Sequence, residues 1–176
     1  QGVVKFESDR NRYSSSLQGL SLFLVSAWLC IYFIFQKQLN SVLSLTTMQM
    51  IAMFVMIWAS GAFSFWSMDQ RVDFQYKKLA LLSIAVAIMQ PLVSILLILH
   101  SEDKVTARIL GMAAVQLALY TGTFISQVRK GKTLYSKRYW TYAVRFNLPL
   151  IPHYLSLTVL SSSDRIMISN MVGADK

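Results

Sequence analysis

The chain has 176 residues, of which 55% are hydrophobic and only 14% charged, and it carries a net charge of +9. The apolar residues fall in long blocks instead of alternating with polar ones, which is the pattern of an integral membrane protein and excludes an ordinary soluble domain. Lys and Arg sit between those blocks and not on one folded face, which argues against nucleic acid as a partner. The single cysteine, Cys30, excludes a disulfide within the chain and a cysteine-based metal site, and no metal or other cofactor is expected.

In chain order, residues 2–16 are polar, with Lys5, Glu7, Asp9, Arg10 and Arg12, and end in Ser14, Ser15 and Ser16, which suit a helix N-terminus. No signal peptide is visible, because the chain opens on Gln1 and a charged stretch. Gln1 is not an initiator methionine, and Lys176 follows a loop-like Val-Gly-Ala-Asp, so an internal piece of a longer polypeptide is expected. The first apolar run, 17–35, is long enough to cross a hydrocarbon core of about 30 Å. A short polar turn at 36–41 leads to a second span, 42–66, rich in Met, Phe and Trp.

Residues 67–78 read as a charged loop with Asp69, Arg71, Asp73, Lys77 and Lys78, flanked by Trp66 and Tyr76, which suit a membrane interface. The third span, 79–99, contains Gln90 and Pro91, and the proline is expected to kink it. The fourth, 107–128, places Gly111, Ala114, Ala118 and Gly122 three or four residues apart, a small-residue face expected to pack closely on a neighbouring helix. Residues 129–140 hold five cations and no acid, and Tyr139, Trp140 and Tyr142 form an aromatic belt where a fifth span, 141–162, begins. The expected fold class is all-α: a polytopic transmembrane bundle of five spans. Segments 1–16, 67–78 and 129–140 carry three, three and five Lys and Arg, against one each in 36–41 and 100–106. The positive-inside rule then places the first set in the cytoplasm.

The fifth span is the chemically unusual one. Ionisable residues inside a span are costly, and their default reading is a site where something polar binds or passes. At 100° per residue, Arg145, Pro149, Pro152, Ser156 and Ser163 fall on one stripe with His153 and Asp164 on its flank, while Leu148, Ile151, Leu155 and Val159 lie elsewhere. Pro149 and Pro152 also release the carbonyls of Arg145 and Leu148 from helical partners, a break tolerated only where protein or a water-filled cavity receives it. Two readings of Arg145 stand side by side: snorkelling to cytoplasmic headgroups from about 6 Å inside the span, or facing a central cavity. His153, about 18 Å in, is a hydrogen-bonded structural residue, a cargo contact or a proton carrier. Asp164 and Arg165 point about 100° apart and serve either as ion-pair partners of other helices or as a gate.

The runs FNLPLIPHYLS (146–156) and SSSDRIMISNMVGADK (161–176), with VKFESDRNRYSSS (4–16) and KGKTLYSKRYWTYAVRFNLPL (130–150), resemble bacterial polysaccharide-biosynthesis flippases. These are the O-antigen or oligosaccharidyl-lipid transporters of the multidrug/oligosaccharidyl-lipid/polysaccharide exporter superfamily. The resemblance is specific over 139–173 and looser over 3–138. It implies a two-lobed fold of twelve to fourteen helices. Residues 1–128 would end the first lobe, 129–140 would be the cytoplasmic link between lobes, and 141–176 would hold the first helix of the second. It further implies multi-pass insertion in the bacterial cytoplasmic membrane and movement of undecaprenyl-diphosphate-linked oligosaccharide to the outer leaflet. A proton or sodium ion would be the coupling ion, although no acidic residue is expected deep within a span.

In this scheme Arg145, His153, Ser156, Asp164 and Arg165 line the transport path, and the anionic diphosphate needs a cation to offset its desolvation. An exporter of organic cations from the same superfamily would favour acidic path residues instead. A membrane-embedded polysaccharide enzyme would need a His/Asp/Glu constellation that the sequence lacks, so the chain is not expected to be an enzyme.

Overall fold

A computed structural model describes the backbone of residues 5–172 and the side chains of these residues apart from 164–166 and 168–172. The described backbone is all-helical. After a 3-10 turn at Glu7–Asp9 come α1 (Arg10–Ile34), α2 (Gln36–Leu43), α3 (Thr47–Val72), α4 (Tyr76–Leu99), α5 (Lys104–Gly131) and α6 (Lys137–Asn147). A second 3-10 turn at Leu148–Leu150 then leads into α7 (Ile151–Val172). The chain divides into two compact units, Gln1–Ser136 and Lys137–Lys176.

Within the first unit, four helices are long and apolar enough to cross a membrane: Glu7–Ile34, Thr47–Val72, Tyr76–Leu99 and Lys104–Gly131. The chain is therefore a multi-pass membrane protein. Helix α5 is the centre of the unit, packing against α1, α3 and α4. Ala59 of α3, Val86 of α4 and Tyr120 of α5 form a buried cluster, over which Phe63 stacks on Tyr120 with ring centroids 4.6 Å apart. Trp66 is buried as well, its ring 6.1 Å from that of Phe63. A large ring beside small alanines fills space that a straight helix pair leaves open.

The helix ends explain why the loops are shorter than the sequence suggests. Helix α3 starts on a reciprocal cap, in which Gln49 N–H donates to Thr46 Oγ1 at 3.4 Å and Thr46 N–H donates to Gln49 Oε1 at 2.9 Å. At its other end it runs through Ser67, Asp69 and Gln70, all buried, so the expected loop 67–78 contracts to 73–75. Phe74 turns the chain with φ of 54°. The turn expected at 36–41 is helical and belongs to α2, tied to α3 by Gln36 Nε2 donating to Thr47 Oγ1 at 2.7 Å. Of the expected loop 129–140, only 132–136 is non-helical.

The small-residue face of α5 splits. A Cβ on Gly111 would sit 2.7 Å from the backbone of Ser94, so α4 and α5 do approach closely there. Ala114, Ala118 and Gly122 are exposed, however, and a Cβ on Gly122 would meet nothing within 4 Å. The tightest approaches lie at the other end of the unit. Gly19 faces the Leu134 carbonyl and Gly131 faces the Asn11 carbonyl, with built Cβ distances of 2.0 and 2.1 Å. Only glycine lets α1 meet the last turn of α5 and its following loop so closely.

Candidate functional site

The run read as a fifth span is not one helix. A proline lacks the N–H that a helix needs four residues on, and α6 accordingly ends at Asn147, just before Pro149. Asn147 Nδ2 donates to the Ala143 carbonyl at 2.8 Å and covers part of that end. In the Leu148–Leu150 turn, the Leu148 carbonyl, which Pro152 cannot reach with a hydrogen bond, accepts from the N–H of Ile151. Helix α7 then begins at Ile151 with Pro152 in its first turn, where a missing N–H costs nothing. Pro91, by contrast, lies inside α4, which continues past it to Leu99.

This break separates the expected site residues. Arg145 lies near the end of α6, on an exposed groove with Lys137, Arg138, Thr141, Tyr142 and Phe146. The Tyr142 and Phe146 rings stack with centroids 6.0 Å apart and planes 17° from parallel. His153 and Ser156 lie on α7, both exposed. His153 is 5.9 Å from the ring of Tyr154, and Ser156 Oγ donates back to the Pro152 carbonyl at 2.9 Å. Among the described residues no hydrogen bond or ring contact joins Arg145 to His153. The single stripe expected from the helical wheel is therefore two segments, because the 3-10 turn resets the phase. Asp164 and Arg165 fall on α7, but their side chains lie outside the described residues.

A second polar constellation was not anticipated. Asp69, placed in a loop by sequence reading, is inside α3 and is the only charged side chain that is buried among the described residues. Ser14 Oγ of α1 donates to its Oδ1 at 2.9 Å, and Gln127 Nε2 of α5 donates to its Oδ2 at 2.6 Å. Gln18 of α1 donates to Gln127 Oε1 and, at 3.0 Å, to the Ala62 carbonyl of α3. Ser15 Oγ donates to the Thr133 carbonyl at 2.9 Å. Beside this cluster Arg10 pairs with Asp73 at the surface. The sequence signal was present in Ser14 and Gln18, polar residues four apart on α1, and in Gln127 within the apolar run of α5. Their partner was hidden because a carboxylate beside Arg71 and Asp73 looks like loop.

At the opposite end of the unit, Asp103 caps α5 by accepting from the N–H groups of Val105 and Thr106, each at 3.1 Å, and from the Thr106 hydroxyl. The Thr106 hydroxyl, with these backbone donors, holds the Asp103 carboxyl below its ordinary value. Gln49 Nε2 donates to Thr106 Oγ1 at 2.8 Å and ties this cap to α3. Among the described residues no group of three or more His, Cys, Asp and Glu side chains is placed to hold a metal ion.

No family model, curated protein or solved structure matches the chain.

Proposed function

We propose that the chain is part of a flippase that moves undecaprenyl-diphosphate-linked oligosaccharide across the bacterial cytoplasmic membrane by alternating access. The observation that carries this reading is the broken segment that follows the four membrane-spanning helices. It holds exposed Arg145 before the Leu148–Leu150 turn and exposed His153 after it, joined by backbone that is not α-helical. In a membrane protein, irregular backbone flanked by ionisable side chains belongs where protein or water receives it, as in transporters. The resemblance of residues 139–173 to oligosaccharidyl-lipid exporters supplies the cargo. A guanidinium suits a diphosphate because its charge is fixed and its planar donors match phosphate oxygens in pairs.

His153 and Ser156 contact the sugar in this scheme, and Asp164 and Arg165 take part in gating. The energy source is a proton or sodium gradient. The cationic character of the segment speaks for an anionic cargo and against export of organic cations.

The test is complementation in a host lacking its own polysaccharide flippase, with the full-length protein and Arg145→Ala at matched expression. Restored surface glycan that Arg145→Ala abolishes is the expected result. Restoration by both keeps the function but removes Arg145 from the path, and failure of the wild type with several matched glycans overturns the reading.

A further inference from the structure

Three uncharged polar side chains lie near the middle of the membrane-spanning helices, with no charged residue within four positions of any of them. Ser60 of α3 reaches Gln116 of α5, its Oγ 3.5 Å from Oε1, but the same hydroxyl donates to the Met56 carbonyl of its own helix at 2.6 Å. A hydroxyl has one proton, and the shorter bond takes it. Gln116 lies four residues before buried Tyr120 and so shares its face of α5. On α4, Gln90 is four residues from both Val86 and Ser94, which are buried, and is itself half-buried like Gln116.

The packing puts Gln90 level with the other two. Helices α4 and α5 run past each other in opposite directions, Ser94 lying against Gly111 and Val86 joining the cluster of Tyr120. Position 90, halfway from 94 to 86, then falls beside 115–116, halfway from 111 to 120. Both α3 and α4 pack along α5 but touch each other little, so Ser60, Gln90 and Gln116 border one furrow whose floor is α5. Among the described residues no hydrogen bond reaches the side chain of Gln90 or the amide N–H groups of Gln116. Pro91 has no N–H for the Ala87 carbonyl, which adds an acceptor near the same depth. Amide groups left bare to hydrocarbon are costly, so the furrow is not a lipid-facing one.

Chemistry narrows the ligand. An ion entering here meets no countercharge, and an acyl chain leaves the amides unpaired. A sugar hydroxyl both donates and accepts, and so does each carboxamide. We infer that Ser60, Gln90 and Gln116 form a subsite for the uncharged, hydroxyl-rich part of the solute, its sugar units and not its diphosphate. The inference rests on the transport reading and adds to it a glycan contact within the first unit.

The experiment uses full-length protein carrying Cys30→Ser in nanodiscs. It follows the rate at which a charged thiol reagent labels Ser60→Cys, Gln90→Cys or Gln116→Cys. Ile88→Cys and Leu92→Cys, at exposed apolar positions on the other side of α4 from Gln90, are the lipid-facing controls. The three subsite variants should label while the controls stay inert. Undecaprenyl diphosphate carrying an oligosaccharide, added at about ten times its dissociation constant, should slow the labelling about tenfold, and sugar-free undecaprenyl diphosphate should not. Equal behaviour of subsite positions and controls, whether inert or reactive, overturns the inference. So does labelling that neither lipid slows, or that both slow equally, since the contact is then absent or made to the diphosphate. Should one variant fail to fold, the other two decide. Rescue of surface glycan by the wild type in the complementation assay keeps the transport reading even where this subsite fails, whereas failure of that rescue overturns both.

Discussion

Asp69 and Arg145 look alike in the sequence, each an ionisable residue at the edge of an apolar run, and the fold treats them in opposite ways. Asp69 is buried where α1, α3 and α5 meet, and both its oxygens accept hydrogen bonds from other helices. Arg145 is exposed on α6 among other cations. A charge that neighbouring helices saturate holds the bundle together. A charge left on an open face is available to a ligand, so exposure and partners separate structure from function where position along the run does not.

The largest effect that sharpens this contrast is on stability. Asp69→Ala leaves the Ser14 hydroxyl and the Gln127 amide as buried donors without an acceptor, and should lower the unfolding free energy by about 2 to 4 kcal/mol. Arg145→Ala, at an exposed position, should change it by less than about 0.5 kcal/mol. Thermal unfolding of the full-length protein in nanodiscs measures both, and equal losses would erase the distinction. Next come the glycines. Gly131→Ala pushes a methyl group against the Asn11 carbonyl, a backbone atom that cannot swing away, and should cost about 1 to 3 kcal/mol by overpacking. Gly122→Ala, where open space awaits the methyl group, should stabilise α5 by about 0.5 to 1 kcal/mol. The same unfolding assay reads the opposite signs.

The smallest effect concerns the exposed cap. The carboxyl of Asp103 is held below its reference of 3.8, so its contribution is fully present above that value and is lost as pH falls through the lower folded-state value. Asp103→Asn keeps an oxygen for the cap but does not titrate. The difference in melting temperature between wild type and this variant should therefore be flat above about pH 5 and narrow below it. A difference that grows on acidification would reverse the sign.

The four long helices were legible because each is an apolar run of spanning length, and that property belongs to the segment alone. Their ends were not. Ser67, Asp69 and Gln70 are polar, so the sequence reads as loop, yet α3 continues because Ser14 and Gln127 from distant helices satisfy Asp69. Similarly, Ala114 and Ala118 form a small-residue pattern, but only Gly111 meets a neighbour, since the angle between two helices decides how long they stay close. At the candidate site the prolines announced a break. They did not tell that the break would become a 3-10 turn that places Arg145 and His153 on separate helices, which depends on where each proline falls relative to the helix starting after it.

The hydrogen bond between Gln18 and Gln127 joins residues 109 apart in the chain. A ribosome adding about 5 to 20 residues per second takes about 5 to 20 s to cover that interval. For much of it α1 is complete while the helix that completes its polar half does not yet exist. The Ser14 and Gln18 side of α1 is therefore made long before its partner, and α5 is the last of the four long helices to be synthesised. Biosynthesis of this unit is thus timed by its final helix.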